Sequence, residues 1–293
     1  MFIDIHVHTH SLPGPLRGGK PPFASPEQLL ERYAPIGVEK AVLLPLVSPE
    51  VYEPQSSQEI LEVCKRYPGR FIPFCNIDPR AGTNDTDSPL GYLFDYYVEQ
   101  GCKGIGEVTA NLPFSSPLVQ NLFKHAERVG FPLTFHIAAQ SGGMYGMVDE
   151  AGLPQLERSL ARFPNLKFLA HSQTFWAEMG RLEKPGDRYG YPRYPVAEEG
   201  VVPKLFRQYP NLLGDLSAGS GCNALKRDPD HAVRFLNEFQ DRLFFGTDIC
   251  APDTPTPLVD FLLELRQSGA ISEAVFQKVA RENAIRLFKL DDA

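Results

Sequence analysis

The segment FIDIHVHTH, Phe2 to His10, places Asp4, His6, His8 and His10 in an otherwise apolar run. Imidazoles and carboxylates are the side chains that hold borderline divalent metals and move protons near neutral pH. Two imidazoles at i and i+2 share one face of a strand. Their Cβ atoms stand roughly 7 Å apart at a rise of about 3.3 Å per residue, so both can reach one ion between them. Further along, Glu107, His136, His171 and Asp248 each close a short apolar run, in GIGEV, PLTFHIA, KFLAHS and LFFGTDI. One such histidine alone would read as a core residue bonded to a backbone carbonyl. Six metal-competent groups in one pattern do not, because apolar residues would fill the same positions without a desolvation cost. The absence of thiolates from the set points to zinc, manganese or iron at a catalytic site, with zinc expected first.

Bringing six groups to one place requires a fold that gathers strand ends. Eight strands are read from the sequence: Phe2–His8, Lys40–Val47, Phe71–Asp78, Cys102–Val108, Pro132–Ala138, Lys167–Ser172, Leu212–Ser217 and Leu243–Ile249. Amphipathic segments lie between them, several opening on Ser-Pro or Ser-Ser and closing on Gly or Pro-Asn, which are sound helix boundaries. Strand and helix alternating eight times predict an α/β chain folded as a (β/α)8 TIM barrel, one domain over residues 1–293. All the strand-end groups would then meet at the C-terminal mouth. On the first strand, alternation predicts Ile3, Ile5 and Val7 against the outer helices. Asp4, His6 and His8 would face inward, with Asp4 deep and hydrogen-bonded. The terminal stretch SEAVFQKVARENAIRLFKL is expected to pack outside the barrel.

Composition narrows the function. The 293 residues are 43% hydrophobic, enough for a large core, and the net charge of −7 argues against a broad nucleic-acid surface. No apolar run approaches the roughly 20 residues that span a bilayer, so no membrane partner is expected. His and Asp stand where the apolar region of a signal peptide would lie. The five cysteines form no C-x-x-C pair, which suits a reducing, cytoplasmic setting.

The pattern H-x-H on strand one, His on strands five and six and Asp on strand eight resembles the amidohydrolase superfamily of metal-dependent barrels. FPNLKFLAHS, LFFGTDI and ENAIRLF resemble its family 2 branch, which includes aminocarboxymuconate-semialdehyde decarboxylase and related hydrolases. The resemblance spans the chain. It implies one metal held by His6, His8, His136 and Asp248, with His171 contacting water or substrate. Other branches bind two metals, using a strand-four bridge for which Glu107 is suited, and His171 is then a ligand. Otherwise Glu107 binds substrate or orients a ligand histidine.

The reaction expected first is hydrolysis of an amide, lactone or related bond in a small carboxylate. A divalent ion lowers the pKa of its water from about 15.7 toward 7, Asp248 takes the proton, and His171 steadies the oxyanion. Non-oxidative decarboxylation of a small unsaturated or aromatic acid is the alternative, and a non-catalytic metal-binding barrel is a third reading. Arg17 in the first βα loop and Trp176, Arg188 and Tyr191 in the sixth are the expected substrate contacts, since Arg among aromatics suits a carboxylate. A solvated lid whose arginines pair with Glu183, Asp187 or Glu198 is the competing account of these loops. His10 is read as a loop residue, His125 and His231 as ordinary helix residues, and Asp215 as a group lining strand seven. Cys250 is not expected to act as a nucleophile, because the metal already accounts for the site. A homo-oligomer is compatible with the sequence.

Overall fold

The computed structural model describes residues 1–290. Its eight barrel strands are β1 Phe2–Val7, β2 Val38–Leu43, β3 Phe71–Pro73, β4 Ile105–Val108, β5 Leu133–Ala138, β6 Phe168–His171, β7 Leu212–Asp215 and β8 Leu243–Phe244. All pairings between them are parallel, running β1 to β3 in one sheet and β4 to β8 in another. Single parallel bridges, Cys75 with Ile105 and Val7 with Ile249, join the two sheets at both seams and close a (β/α)8 TIM barrel. No helix among the described residues is long and apolar enough to cross a membrane.

The helices start and stop where local chemistry says they should. In Pro26–Ile36, Ser25 accepts from the Gln28 N–H and Gln28 reaches back to the Ser25 N–H, while Gly37 ends the helix in the left-handed region. Pro117–Val129 ends the same way at Gly130. Their buried faces share one apolar cluster with Phe2, Val7, Ala41, Leu43, Phe135 and Phe168, the outward residues of the strands.

A second, smaller cluster fills the barrel interior with Ile3, Ile5, Val42, Leu44, Ile72, Phe74, Leu169, Leu213 and Phe244. Each side chain fully buried there contributes about 1.5–3 kcal/mol. Ile3 and Ile5 therefore face inward, the reverse of what simple alternation predicts. Asp4 points outward, where it accepts from the Tyr33 hydroxyl at 2.8 Å on the helix Pro26–Ile36. The cause is an irregularity in β1. Asp4 pairs with Ala41 but Val7 pairs with Leu43, so three steps on β1 oppose two on β2. The extra residue rotates His6 onto the inner face above Ile5.

The C-terminal stretch also divides. Val275, Phe276 and Val279 pack on the outside with Phe2 and Phe245, as expected. After the π-helical turn Lys278–Glu282, Ala284 and Phe288 join the interior cluster and close the bottom of the barrel. The wider turn shifts the phase of the helix, so one continuous segment serves two faces.

Candidate active site

The interior apolar cluster ends upward in polar groups. β6 carries Leu169 then His171, and β7 carries Leu213 then Asp215, each pair two residues apart on one face. β5 and β6 are in register at His136 and His171, whose ring centroids lie 5.4 Å apart. Asp248 follows β8 in the left-handed region at φ 53°, a conformation Asp tolerates, and its N–H donates to the His6 carbonyl across the seam. Asp4 fixes this seam from outside, accepting from the His6 N–H at 3.0 Å and from both the N–H and hydroxyl of Thr247. Burial raises Asp4 to about 6 despite these bonds.

His6, His8, Glu107, His136, His171 and Asp248 are thus brought together at the C-terminal mouth. His6 Nε2 and His8 Nε2 are 3.1 Å apart. Asp248 Oδ1 lies 3.6 Å from each, and Glu107 Oε2 lies 3.7 Å and 3.5 Å from them. Donors on a tetrahedral ion with bonds of about 2.0 Å stand roughly 3.3 Å apart, so these four atoms have the spacing of a zinc-like ligand set. The other carboxylate oxygen, Glu107 Oε1, meets His136 Nδ1 at 2.8 Å and lies 3.9 Å from His171 Nε2. Three overlapping donor triads result: His6, His8 and Asp248; Glu107, His136 and His171; and His6, His171 and Asp215.

The supports of the two leading imidazoles decide what they can bind. His8 Nδ1 donates to the Leu44 carbonyl at 2.8 Å, and His6 Nδ1 meets Asp215 Oδ2 at 2.6 Å. With both Nδ1 protons so used, at most one proton can sit between the facing Nε2 atoms. Burial opposes charge on His6, yet the Asp215 and Asp248 carboxylates outweigh it and raise His6 well above its usual value. His171 moves the other way, to about 4, through burial and repulsion from His6. The flanking carboxylates thus favour positive charge beside His6, whereas His171 is neutral, with Nδ1 on the Ser217 hydroxyl at 2.9 Å. Burial also opposes ionisation of Glu107 and Asp215. The His136 hydrogen bond, with the His6 and His8 imidazoles close by, nevertheless holds Glu107 well below the usual range, and His6 lowers Asp215. A pocket that stabilises positive charge between two lone pairs and carboxylates fits a divalent cation.

Asp215, read from the sequence only as lining strand seven, is the partner that orients His6. Its position two residues after an inward Leu on an apolar strand was the available signal. Above the donors opens a cavity of 260 Å³ lined by Arg17, Phe23, Tyr52, Tyr145 and Cys250 among others. Tyr145 lies over His136 at 4.6 Å between ring centroids, because its loop returns to pair Met147 and Val148 with the end of β5. Gly146 makes that return feasible: φ is 110°, and a Cβ would stand 2.8 Å from the His136 ring. Burial pushes the Tyr145 phenol up, with Glu107 and Asp248 adding to it. The Cys250 thiol is also pushed well up by burial and by Asp248, which is no environment for a nucleophilic thiolate.

Of the expected substrate contacts, Arg17 lines the cavity, with its guanidinium 4.9 Å above the Tyr52 ring. Tyr191 is half exposed beside Gly219, near enough to Asp248 for that carboxylate to raise its phenol, although burial is the larger cause. Trp176 and Arg188 require correction, since neither lines the cavity. Trp176 is 1% exposed, packs on Phe175 and Phe235, and donates its indole N–H to the Asp215 carbonyl at 2.9 Å. Arg188 is buried on Glu178 at 2.6 Å and on the Asp149 and Glu150 carbonyls, tying the sixth loop to the fifth. Elsewhere the charged loops pair with one another, as in Arg181 with Glu198 and Lys20 with Asp253.

No curated protein matches the chain. Among solved structures it is similar to an uncharacterised TIM-barrel protein from Bordetella bronchiseptica, at 19% identity over 98% of both chains and a TM-score of 0.65. It is also similar to 5-carboxyvanillate decarboxylase from Sphingomonas paucimobilis, at 17% identity over 99% of both chains and a TM-score of 0.62. A putative 2-pyrone-4,6-dicarboxylic acid hydrolase from Pseudomonas putida shares 14% identity over 100% of this chain and 98% of that one, with a TM-score of 0.63. At these identities the likeness shows the fold. The Amidohydrolase family model matches residues 3–290, and the chain belongs to the amidohydrolase family, in its family 2 branch.

Proposed function

We propose that this barrel is a metal-dependent hydrolase acting on an amide, lactone or related bond of a small carboxylate. His6, His8 and Asp248 would hold the ion together with Glu107, and His136 and His171 stand beside them through the second Glu107 oxygen. The ion, zinc first by donor chemistry, supplies a Lewis acid that acidifies water and polarises a carbonyl. The observation carrying the reading is the position of Asp248. Its Oδ1 is equidistant from both leading imidazoles, and its side chain, 22% exposed, lines the cavity in which substrate would sit. From there Asp248 takes the proton of the attacking water and returns it to the leaving group. Neutral His171, with Nε2 3.7 Å from Asp248 Oδ2, lies on the far side of that carboxylate and is placed to steady charge growing on the carbonyl oxygen. Arg17 over Tyr52 would take the substrate carboxylate at the rim.

Decarboxylation uses nearly the same residues but needs a proton delivered to carbon. Both are read in one experiment, turnover of small lactones, amides and unsaturated acids in oxygen-18 water by the zinc-loaded protein. Label at the cleaved carbonyl, with Asp248→Asn at least about 100-fold slower while keeping its metal, is expected. Released carbon dioxide with a solvent deuteron on carbon in deuterated buffer, and no labelled acid, would replace hydrolysis by decarboxylation.

A further inference from the structure

Beside the catalytic cavity lies a second one of 220 Å³, built from the first βα loop and separated from the first by Phe23 and Glu53, which line both. The mechanism uses neither Glu53 nor its neighbour His10. Glu53 Oε2 is buried and finds no protein partner, and neither does the buried His10 Nε2. The His10 ring lies against Phe23, 4.7 Å between centroids, and His10 and Glu53 both line the second cavity. Their unused capacity is specific: a carboxylate oxygen accepts, and an imidazole whose other nitrogen lies 3.8 Å from Glu59 has an acceptor or donor free. The loop is shaped around Glu53. A Cβ at Gly14 would stand 1.5 Å from Glu53 Oε1, so only glycine leaves room for the carboxylate there. Arg17 lines the first cavity with Glu53, its guanidinium over the Tyr52 ring, and makes no ion pair among the described residues. A cation and an acceptor are therefore both left open on one cavity, without neutralising each other.

We propose that the side cavity is a substrate subsite, in which Glu53, with His10 beside it, receives a hydrogen-bond-donating arm, a hydroxyl or a protonated amine, of a substrate whose carboxylate is held by Arg17. This rests on the reading of the first cavity as the substrate site. The substrate is thereby a bifunctional acid, and Glu53 is its specificity-determining residue. A purely apolar acid would leave the buried carboxylate oxygen unpaired, whereas a donor arm satisfies it.

The test is calorimetric binding to the full zinc-loaded chain of three matched probe series, each from four to six carbons: the unsubstituted acid, the ω-hydroxy acid and the ω-amino acid. For at least one length, a donor-bearing probe is expected to bind at least about tenfold tighter than the unsubstituted acid, the size of one charge-assisted hydrogen bond. Glu53→Ala should reduce that preference to within about threefold, and Arg17→Ala should weaken all probes while keeping it. Glu53→Gln separates the two arms, because it should cut the preference for the ammonium and spare that for the hydroxyl. Gly14→Ala, which displaces the Glu53 carboxylate, should reproduce Glu53→Ala with the circular dichroism spectrum unchanged. No measurable binding, no preference at any length, or a preference that survives Glu53→Ala overturns the proposal. Binding does not depend on turnover, so a preserved preference with no hydrolytic product would count against the hydrolase reading alone.

Discussion

Replacing Asp215 by Asn changes one charge at constant shape and tests whether the orientation of His6 makes the proposed metal site. In the native chain Asp215 Oδ1 accepts from the Ser217 N–H at 3.0 Å, and Oδ2 meets His6 Nδ1 at 2.6 Å. The amide in Asp215→Asn would keep its oxygen on Ser217 and turn its NH2 toward His6. The ring then accepts at Nδ1 and carries its proton on Nε2, the nitrogen that faces His8 and the donor set. The electrostatic part is also large. Removing a unit charge roughly 7 Å from a divalent ion forfeits about 5 kcal/mol of attraction at an effective dielectric of about 20, an upper figure because nearby dipoles relax. Substitutions that disturb the partner of a ligand histidine usually weaken metal binding about 10- to 100-fold, or about 1.4–2.7 kcal/mol. The expected result is a loss in that range, measured by zinc competition against a chromophoric chelator at pH 7. The metal-free variant should melt cooperatively. An affinity within about threefold of the native chain, with the fold intact, would refute the role given to Asp215.

Other expectations follow from single contacts. Trp176→Phe should lower stability by about 1–3 kcal/mol, by leaving the Asp215 carbonyl unpaired in the core, and leave the Kd of small acids unchanged; weaker acid binding at unaltered Tm would restore Trp176 to the substrate site. Asp149, which caps the helix Pro154–Arg162, is raised by burial to about 7. Its native state keeps a proton that the unfolded chain has lost, so the stability it contributes is full below about 3.8 and is lost as pH rises through 7. Denaturant titrations should show a less negative slope over that interval in Asp149→Asn, and an unchanged slope would contradict the assignment. Glu107→Gln should lower the metal stoichiometry from about two to about one if its two oxygens serve two ions; a native chain that binds a single ion at saturation would remove the bridging reading.

The architecture could be read from the sequence because a parallel barrel repeats one simple unit. All eight strands and the capped helices are set by local apolar patterning and by Ser, Pro and Gly at the boundaries, none of which needs distant contacts to be recognised. The convergence of His136, His171 and Asp248 followed from the same repetition. What strict alternation could not give was the inside and outside of β1, because the irregularity against β2 is a property of pairing rather than of the residues in FIDIHVHTH. The expectation that His6 and His8 face the mouth held, although Asp4, Ile3 and Ile5 exchanged faces. Asp215 was undervalued for a related reason: its partner is 209 residues away. Trp176 and Arg188 were misread because an aromatic and an arginine in a long loop look alike whether they face substrate or bind the loop down. Only burial and the partners Glu178 and Asp215 decide between these.

The irregularity in β1 bears directly on the chemistry. On an ideal strand, side chains at positions 4, 6 and 8 would face the same way, and Ile5 would lie outside. Here Ile5 closes the apolar interior while His6, the next residue, is already part of the polar mouth, so the barrel passes from a packed core to a charged site within one residue. The apolar floor gives His6 no other hydrogen-bond partner below, which leaves Asp215 to set its tautomer and His8 and Asp248 to face its free nitrogen. A strand without the extra residue could present two imidazoles two positions apart, but it would have to carry Asp4 into the interior beneath them. There a buried carboxylate would compete with Asp215 for His6 instead of binding β1 to Thr247 from outside. The same displaced residue thus removes a rival carboxylate from under the site and uses it to fix the seam that carries Asp248.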